Sequence, residues 1–288
     1  MQTFHEQLTD YYHNAKGAKR KVAEFLILHS EEAAFLTLEQ VAKKAGVSPA
    51  TITRCVAEMG FAGYREMIVF LRDSIKRTML PSERLAKHQA PESFLGFQES
   101  IKNDRENIDT MVAINTPETI TVVIDMLARA ERIKLFASRT SYGTMSFFAF
   151  VMSQIRPNVI LLSEAEGRLA EQLLDTDPTD LFVIAALPRF ARSPLVCAEY
   201  ANRIGCKIIA VTDSPTSPLA RYADIPLCIP FESYSFFNSN VATLAMYNGL
   251  ATAVGLKKEN SSIERLAMHN ALLKELAPLQ VHKRSTEK

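Results

Sequence analysis

Between Ala18 and Ile75 the apolar positions recur at helical spacing, with polar residues filling the faces between them. Val22, Phe25, Leu26 and His29 fall at i, i+3, i+4 and i+7 and predict a first helix with that face turned inward. Thr37 then stands where an N-cap is needed, with Gln40 three residues on to close a capping box. Leu38, Val41, Ala42 and Ala45 give the next helix its inner stripe. Gly46 follows, tolerant of the positive φ at which helices stop, and Val47 fills the corner. Ser48 and Pro49 pair a hydroxyl cap with a proline at the first helical position. In the helix they open, Ile52, Cys55, Val56 and Met59 share one face, leaving Thr51, Thr53, Arg54 and Glu58 on the others. Gly60 ends it, and Phe61 and Tyr64 lead into a fourth helix, Arg65 to Ile75, with Met67, Ile68, Phe70 and Leu71 inside.

The pattern then breaks. From Lys76 to Phe94 the text is polar and interrupted by Pro81 and Pro91, which predicts a linker holding one short helix. Helical spacing resumes with Phe97, Ile101, Ile108, Met111 and Val112, and again from Pro117 to Ala130, as an arm feeding a second domain. From Arg132 onward the period changes. Short apolar runs at 133–137, 159–162, 181–187, 207–211 and 225–229 read as strands, separated or followed by helices at 146–155, 168–174, 194–204 and 241–253. Near-continuous apolar strands joined by helices imply a parallel sheet buried on both faces. The expected architecture has two domains. An all-α head (1–77) and a linker (78–94) precede a doubly wound parallel five-stranded α/β domain (95–288).

Composition narrows the function classes. Of 288 residues, 47% are hydrophobic and 23% charged, the balance of a soluble globular chain, and a formal net charge of +1 supplies no global field for nucleic acid. A small DNA-reading head needs only a local basic face. Cys55, Cys197, Cys206 and Cys228 are scattered in apolar runs without CxxC or Cys–His spacing, so a metal site is not expected and they read as buried hydrophobes. No cofactor fingerprint or nucleophile elbow is present. The first residues lack a leader's basic and apolar regions, and Val241 to Leu256 is too short to span a bilayer. A cytoplasmic protein with no membrane partner is expected.

A helix, a glycine-containing turn and a second, serine-capped helix make a helix-turn-helix. Its second helix would enter the major groove of double-stranded DNA, Thr51 and Arg54 facing base edges with Thr53 on the same outward side. Ser48, Lys43 and Lys44 are placed for phosphate. The run AAFLTLEQVAKKAGVSPATITR, with Met59–Phe61 and Gly63–Met67 after it, resembles the N-terminal domain of RpiR-type transcriptional regulators. The S-x-A-T-[VI]-x-R string from Ser48 to Arg54 is its most diagnostic part.

In a doubly wound fold ligands bind at the carboxyl ends of the strands. The loop after the first strand supplies Ser138, Arg139 and Ser141; that after the third supplies Arg189, Arg192 and Ser193. Both stand at strand-to-helix junctions, where amides favour anions, and they should converge because their strands flank the switch point. The later segments Gly205–Ser233 and Ser235–Ala245 resemble the SIS, or sugar isomerase, domain that follows the RpiR-type head, with Ser217-Pro-Leu-Ala, Ala223-Asp224 and Glu232 as its strongest marks. The resemblance implies a sugar-phosphate site including Ser217 and Glu232. Two departures change that expectation: where the family's first loop is commonly G-x-G-x-S, this chain reads ASRTS, and where its phosphate loop is commonly S-x-S-G, it reads LPRFARS. An anionic metabolite in general is therefore the expected effector. Of possible catalytic bases only Glu232 sits at a strand end with family backing, so a regulator rather than an enzyme is expected. The alternatives are a ligand-free dimerisation platform or a phosphosugar isomerase. The chain is expected to assemble as a homodimer or homotetramer.

Overall fold

The structure, a computed structural model, describes residues 4–78, 80–87 and 93–276. Parts of the sequence-predicted linker and the C-terminal stretch from 277 lie outside those residues. The chain divides into two compact units, Met1–Lys87 and His88–Lys288.

The first unit is all helical. In order come α1 (Phe4–Asn14), α2 (Ala18–Leu28), a single turn α3 (Ser30–Ala33), α4 (Leu38–Ala45), α5 (Pro49–Glu58), α6 (Tyr64–Thr78) and α7 (Pro81–Lys87). The caps read from sequence form as hydrogen bonds. Gln40 N–H donates to Thr37 Oγ1 at 3.3 Å while Thr37 N–H donates to Gln40 Oε1 at 2.8 Å, and Thr51 N–H donates to Ser48 Oγ at 3.3 Å. Gly46 closes α4 at φ 65°. The core gathers Val22, Leu26, Val41, Ala42, Ile52, Cys55, Val56, Met67 and Leu71, with Leu8 from α1, a helix that the apolar spacing from Ala18 onward left out. His29 does not share the inner face predicted for it. α2 ends at Leu28, and His29 stands exposed beyond its last turn.

The second unit opens with the 22-residue α8 (Ser93–Ile114) and α9 (Pro117–Arg129). There follow β1 (Ile133–Ala137), α10 (Thr140–Ile155), β2 (Val159–Leu161), α11 (Leu169–Leu174), β3 (Leu181–Ala185), α12 (Arg192–Ile204), β4 (Lys207–Thr212), β5 (Ile225–Cys228), α13 (Val241–Lys257) and α14 (Glu259–Leu276). All five strands are parallel in the order β2-β1-β3-β4-β5, so β1 and β3 are neighbours and the winding reverses between them. Alternate strand residues feed two cores, as a pleated sheet requires. Ile133, Leu135, Val183 and Val211 meet α9, α10 and α13 on one face; Phe136, Phe182, Ile184 and Ile208 meet α11 and α12 on the other.

Three helices of this unit exceed their sequence-predicted limits. α10 starts at Thr140 rather than Ser146, because Ser141 occupies the first position of the buried stripe that continues through Met145, Phe148, Ala149 and Met152. α12 starts two residues before Pro194, and α13 runs on to Lys257. α14 had no periodic signal. Its only buried residue is Ser262, and polar contacts hold it, Arg265 Nε donating to the Ser153 carbonyl at 2.8 Å. Among the described residues no single helix is long and apolar enough to cross a membrane.

Candidate functional site

In the head, α5 is fixed at its far end and offered at its near end. Glu58, in its last turn, accepts from Tyr11 Oη at 2.7 Å and Lys19 Nζ at 2.6 Å, and the lysine bond first, then the tyrosine bond, hold its carboxyl below the usual range. Tyr64 Oη donates to the Leu36 carbonyl at 3.0 Å, and burial pushes that phenol up to about 12. Arg72 Nε donates to the Ala34 carbonyl at 2.6 Å. These ties set α4 and α6 around α5 while Ser48, Thr53 and Arg54 stay exposed and Thr51 half-buried. Arg54 Nε rests on the Ala50 carbonyl at 3.3 Å and Thr53 Oγ1 on that of Pro49 at 3.2 Å, bonds within the helix that leave the Arg54 fork's remaining donors outward. Lys43 and Lys44 are both exposed, and Lys44 Nζ pairs with Glu32 at 2.6 Å. A phosphate would compete with that carboxylate for Lys44.

In the second unit the reversal between β1 and β3 opens a small, solvent-facing cleft of about 50 Å³. Ser138, Arg139, Thr140 and Ser141 line it from the β1 end, Pro188, Arg189 and Ala191 from the β3 end, and Phe237, Asn238 and Asn240 from the segment before α13. The two arginine loops therefore share one cleft. Arg139 and Arg189 both have positive φ, 55° and 65°, a region in which side-chain-bearing residues are strained. Three helices begin here, α10 after Arg139, α12 after Ala191 and α13 after Asn240; none is capped by the side chain of that preceding residue, while the first amide of α13, Val241 N–H, donates to Ser239 Oγ at 3.2 Å. By contrast α4, α5 and α9 are capped by Thr37, Ser48 and Thr116. Uncapped first turns present unpaired N–H groups and the positive end of the helix dipole. Arg189 Nε and Asn240 Oδ1 are buried and without a hydrogen-bond partner. Among the described residues no Asp, Glu or His lines the cleft.

The remaining predicted residues lie elsewhere. Ser193 is in the first turn of α12 but does not line the cleft. Ser217 is buried and occupied, accepting from Thr212 Oγ1 at 2.8 Å and the Ala220 amide at 3.1 Å to close the turn after β4. Glu232 borders a separate surface depression with Glu99, Lys102, Asn103 and Glu106, and its carbonyl accepts from Asn107 Nδ2 at 2.7 Å. The residues missed from sequence are Phe237, Asn238 and Asn240. Asn238 Nδ2 donates to the Pro188 carbonyl at 3.3 Å and so joins the α13 segment to the Arg189 loop. Their signals were a position after the last strand and a place in the Ser235–Ala245 segment that resembles the SIS domain, and neither marks a single residue in a loop too long to place without the fold.

A helix-turn-helix head followed by a parallel sheet with a cation-lined cleft at its switch point defines a DNA-binding regulator with a sugar-isomerase-type domain. Family comparison divides the chain in the same way. The "helix-turn-helix domain, rpiR family" model matches residues 2–78 and the SIS domain model residues 126–253, together more than half of the chain. The protein belongs to the RpiR family of transcriptional regulators. Among curated relatives, it is 25% identical to the HTH-type transcriptional regulator HexR of Pseudomonas aeruginosa over 90% of this chain and 91% of that one. To the regulator RpiR of Escherichia coli it is also 25% identical, over 85% of this chain and 82% of that one. Among solved structures, the NanR protein of Vibrio vulnificus complexed with ManNAc-6P has the same fold over 94% of this chain and 98% of that one, at TM-score 0.59 and 16% identity. The sugar isomerase domain of an RpiR transcription factor from Sphaerobacter thermophilus matches at TM-score 0.58 and 23% identity, covering 60% of this chain and 97% of that one.

Proposed function

We propose that the cleft between β1 and β3 is an effector site for a small anionic metabolite, and that its occupancy alters the affinity of the α5 helix for a DNA operator. The observation that supports this most is the convergence of three helix starts with two arginines, one of them holding a buried, unpartnered Nε, in a cleft without an acidic lining residue among those described. Such a site has donors and positive potential in excess of the acceptors around it. That the V. vulnificus relative was solved with a phosphorylated sugar agrees with this chemistry. A regulator rather than an isomerase is favoured because the cleft holds, among the described residues, no carboxylate or imidazole to move a proton, Glu232 lying outside it. In the head, Thr51, Thr53 and Arg54 would read base edges, with Ser48, Lys43 and Lys44 on the phosphates. Two copies would read a two-fold operator.

The test is a melting experiment on the full-length protein with inorganic phosphate and a set of sugar phosphates, paired with operator binding by anisotropy. A ligand that raises the melting temperature of the wild type and shifts its DNA affinity, but does neither in Arg189→Ala, is the expected result. If Arg189→Ala loses DNA binding without ligand, or retains the full ligand response, the cleft is not the effector site.

A further inference from the structure

We infer that the hollow between the end of α1, the start of α2 and the end of α5 seats a phosphate of the DNA backbone, a second phosphate station beyond Ser48, Lys43 and Lys44. The inference rests on α5 being the helix that enters the major groove, and it concerns the far wall of that groove.

The stretch from Lys16 to Lys21 reads KGAKRK, four cations in six positions with no acid among them. Gly17, at φ 60°, turns the chain from α1 into α2. Lys16 and Lys19 come to one side of that turn, where with Tyr11, Asn14, Ala15 and Glu58 they line a hollow of about 460 Å³. Arg20 is held against the end of α1, its Nη2 donating to Tyr12 Oη at 2.9 Å and its guanidinium carbon 4.5 Å from the centre of that ring. Lys21 is exposed but does not line the hollow, since it stands roughly 200° around α2 from Lys19.

The place of the hollow decides its partner. Ala50, Thr53, Arg54, Ala57 and Glu58 form one exposed stripe along α5 at helical spacing. The last of them is the residue that Lys19 Nζ meets at 2.6 Å, so the hollow lies at the far end of the reading face. The ten residues of α5 are about 15 Å long, and the major groove is about 12 Å wide. A helix whose near end stands at one backbone therefore brings its far end to the other. A bare Glu58 would repel that backbone, but Lys19 and Tyr11 hold its carboxylate, and Lys16 leaves the balance positive. The near end is built alike, with Lys44 on Glu32 at 2.6 Å. All four of these charged side chains are more than two-fifths exposed, and ion pairs so open to water contribute little. A phosphate can take over either lysine at small cost.

A phosphate contact carries no sequence information, so the test needs no operator. Full-length protein is titrated by anisotropy against two labelled duplexes of unrelated mixed sequence over a salt series. Each phosphate contact contributes about 0.9 to the slope of log affinity against log salt. Lys16→Gln and Lys19→Gln should each lower that slope by about 0.9, equally on both duplexes, while Lys21→Gln keeps the wild-type slope. Unchanged melting temperatures in all three show that the fold is intact. An equal fall in all three variants would mean diffuse surface charge and overturns the hollow as a site. Wild-type slopes in Lys16→Gln and Lys19→Gln, beside a lower slope in Lys43→Gln, overturn it as well and leave the helix-turn-helix standing. A wild type that binds neither duplex at low salt overturns α5 as a DNA-reading helix, and the hollow with it.

Discussion

Ser48, the cap of α5, and Arg54, within it, act on different things although only six positions separate them. Ser48 acts on the fold: its hydroxyl satisfies the Thr51 amide at the start of α5. Replacing it by alanine should cost about 1 kcal/mol of stability, seen as a lower urea midpoint with an unchanged slope. Arg54 acts on the partner. Its guanidinium makes one intrahelical bond to Ala50 and otherwise faces out, so Arg54→Ala should leave the urea midpoint where it is. It should weaken specific DNA binding by about 1–3 kcal/mol, measured as the ratio of operator to random-sequence affinity. If that ratio is unchanged, Arg54 does not read a base. At this scale the head was almost fully legible, because caps, the Gly46 stop and the inner stripe are local signals. The cleft was legible in the loops after the first and third strands, where Ser138, Arg139, Ser141 and Arg189 stand at strand-to-helix junctions. Arg139 and Arg189 stood out by type, whereas Asn238 and Asn240 are ordinary loop residues until the fold brings them beside Pro188. Ser217 is the opposite case: a family mark in the sequence whose hydroxyl is bonded within its own turn.

Among the elements, α8 has the most to say about how a filled cleft could be felt elsewhere. It is the first described helix of the second unit, and two of its residues and the one just past its end hold β5 and the strand-to-helix segment that forms one wall of the cleft. Asp104 Oδ1 accepts from Ser239 Oγ at 2.5 Å, Asn107 Nδ2 donates to the Glu232 carbonyl, and Asn115 clasps Cys228 by both its N–H (2.9 Å) and its carbonyl (2.7 Å). Asn115 is buried, so Asn115→Ala strands the Cys228 amide and should lower unfolding stability by about 1–3 kcal/mol. Ser239→Ala cuts the tie nearest Asn240. We expect it to keep ligand affinity within a few-fold while reducing the shift in operator affinity that ligand produces, read by anisotropy with and without saturating ligand. An unchanged shift would remove Ser239 from the path. None of these ties was legible in the sequence. Apolar periodicity places α8, but polar side chains reaching more than a hundred positions along the chain leave no local trace. α14 was missed for a related reason, since a helix held by Arg265 and Ser262 has no stripe to read.

The whole molecule divides its charges between the two ends of the sheet. At the cleft end cations await a partner; at the opposite end they have one. Arg132 reaches Asp180 with two donors at 2.5 and 2.8 Å, and the fully buried Lys134 adds a contact at 3.4 Å and bonds to Thr176 Oγ1 and the Asp175 carbonyl at 3.0 Å. Burial alone would raise the Asp180 carboxyl, but the Arg132 bond, the Asp177 amide and Lys134 outweigh it and hold it low. A carboxylate depressed in the folded state contributes fully above its unfolded pKa of roughly 4 and loses that contribution as pH falls through the folded value. Urea unfolding repeated from pH 6 downward should therefore show stability falling below about pH 4, and Asp180→Asn should flatten that fall. The same substitution should cost about 3–5 kcal/mol at neutral pH, because Lys134 is left buried without its counter-ion.

The two strained arginines also bear on how such a chain changes over generations. Every arginine codon becomes a glycine codon by altering its first base, so relief at Arg139 or at Arg189 is a single nucleotide away. A library of random variants screened only for heat resistance should therefore return Arg139→Gly and Arg189→Gly early. Those survivors should be the ones that no longer answer to effector.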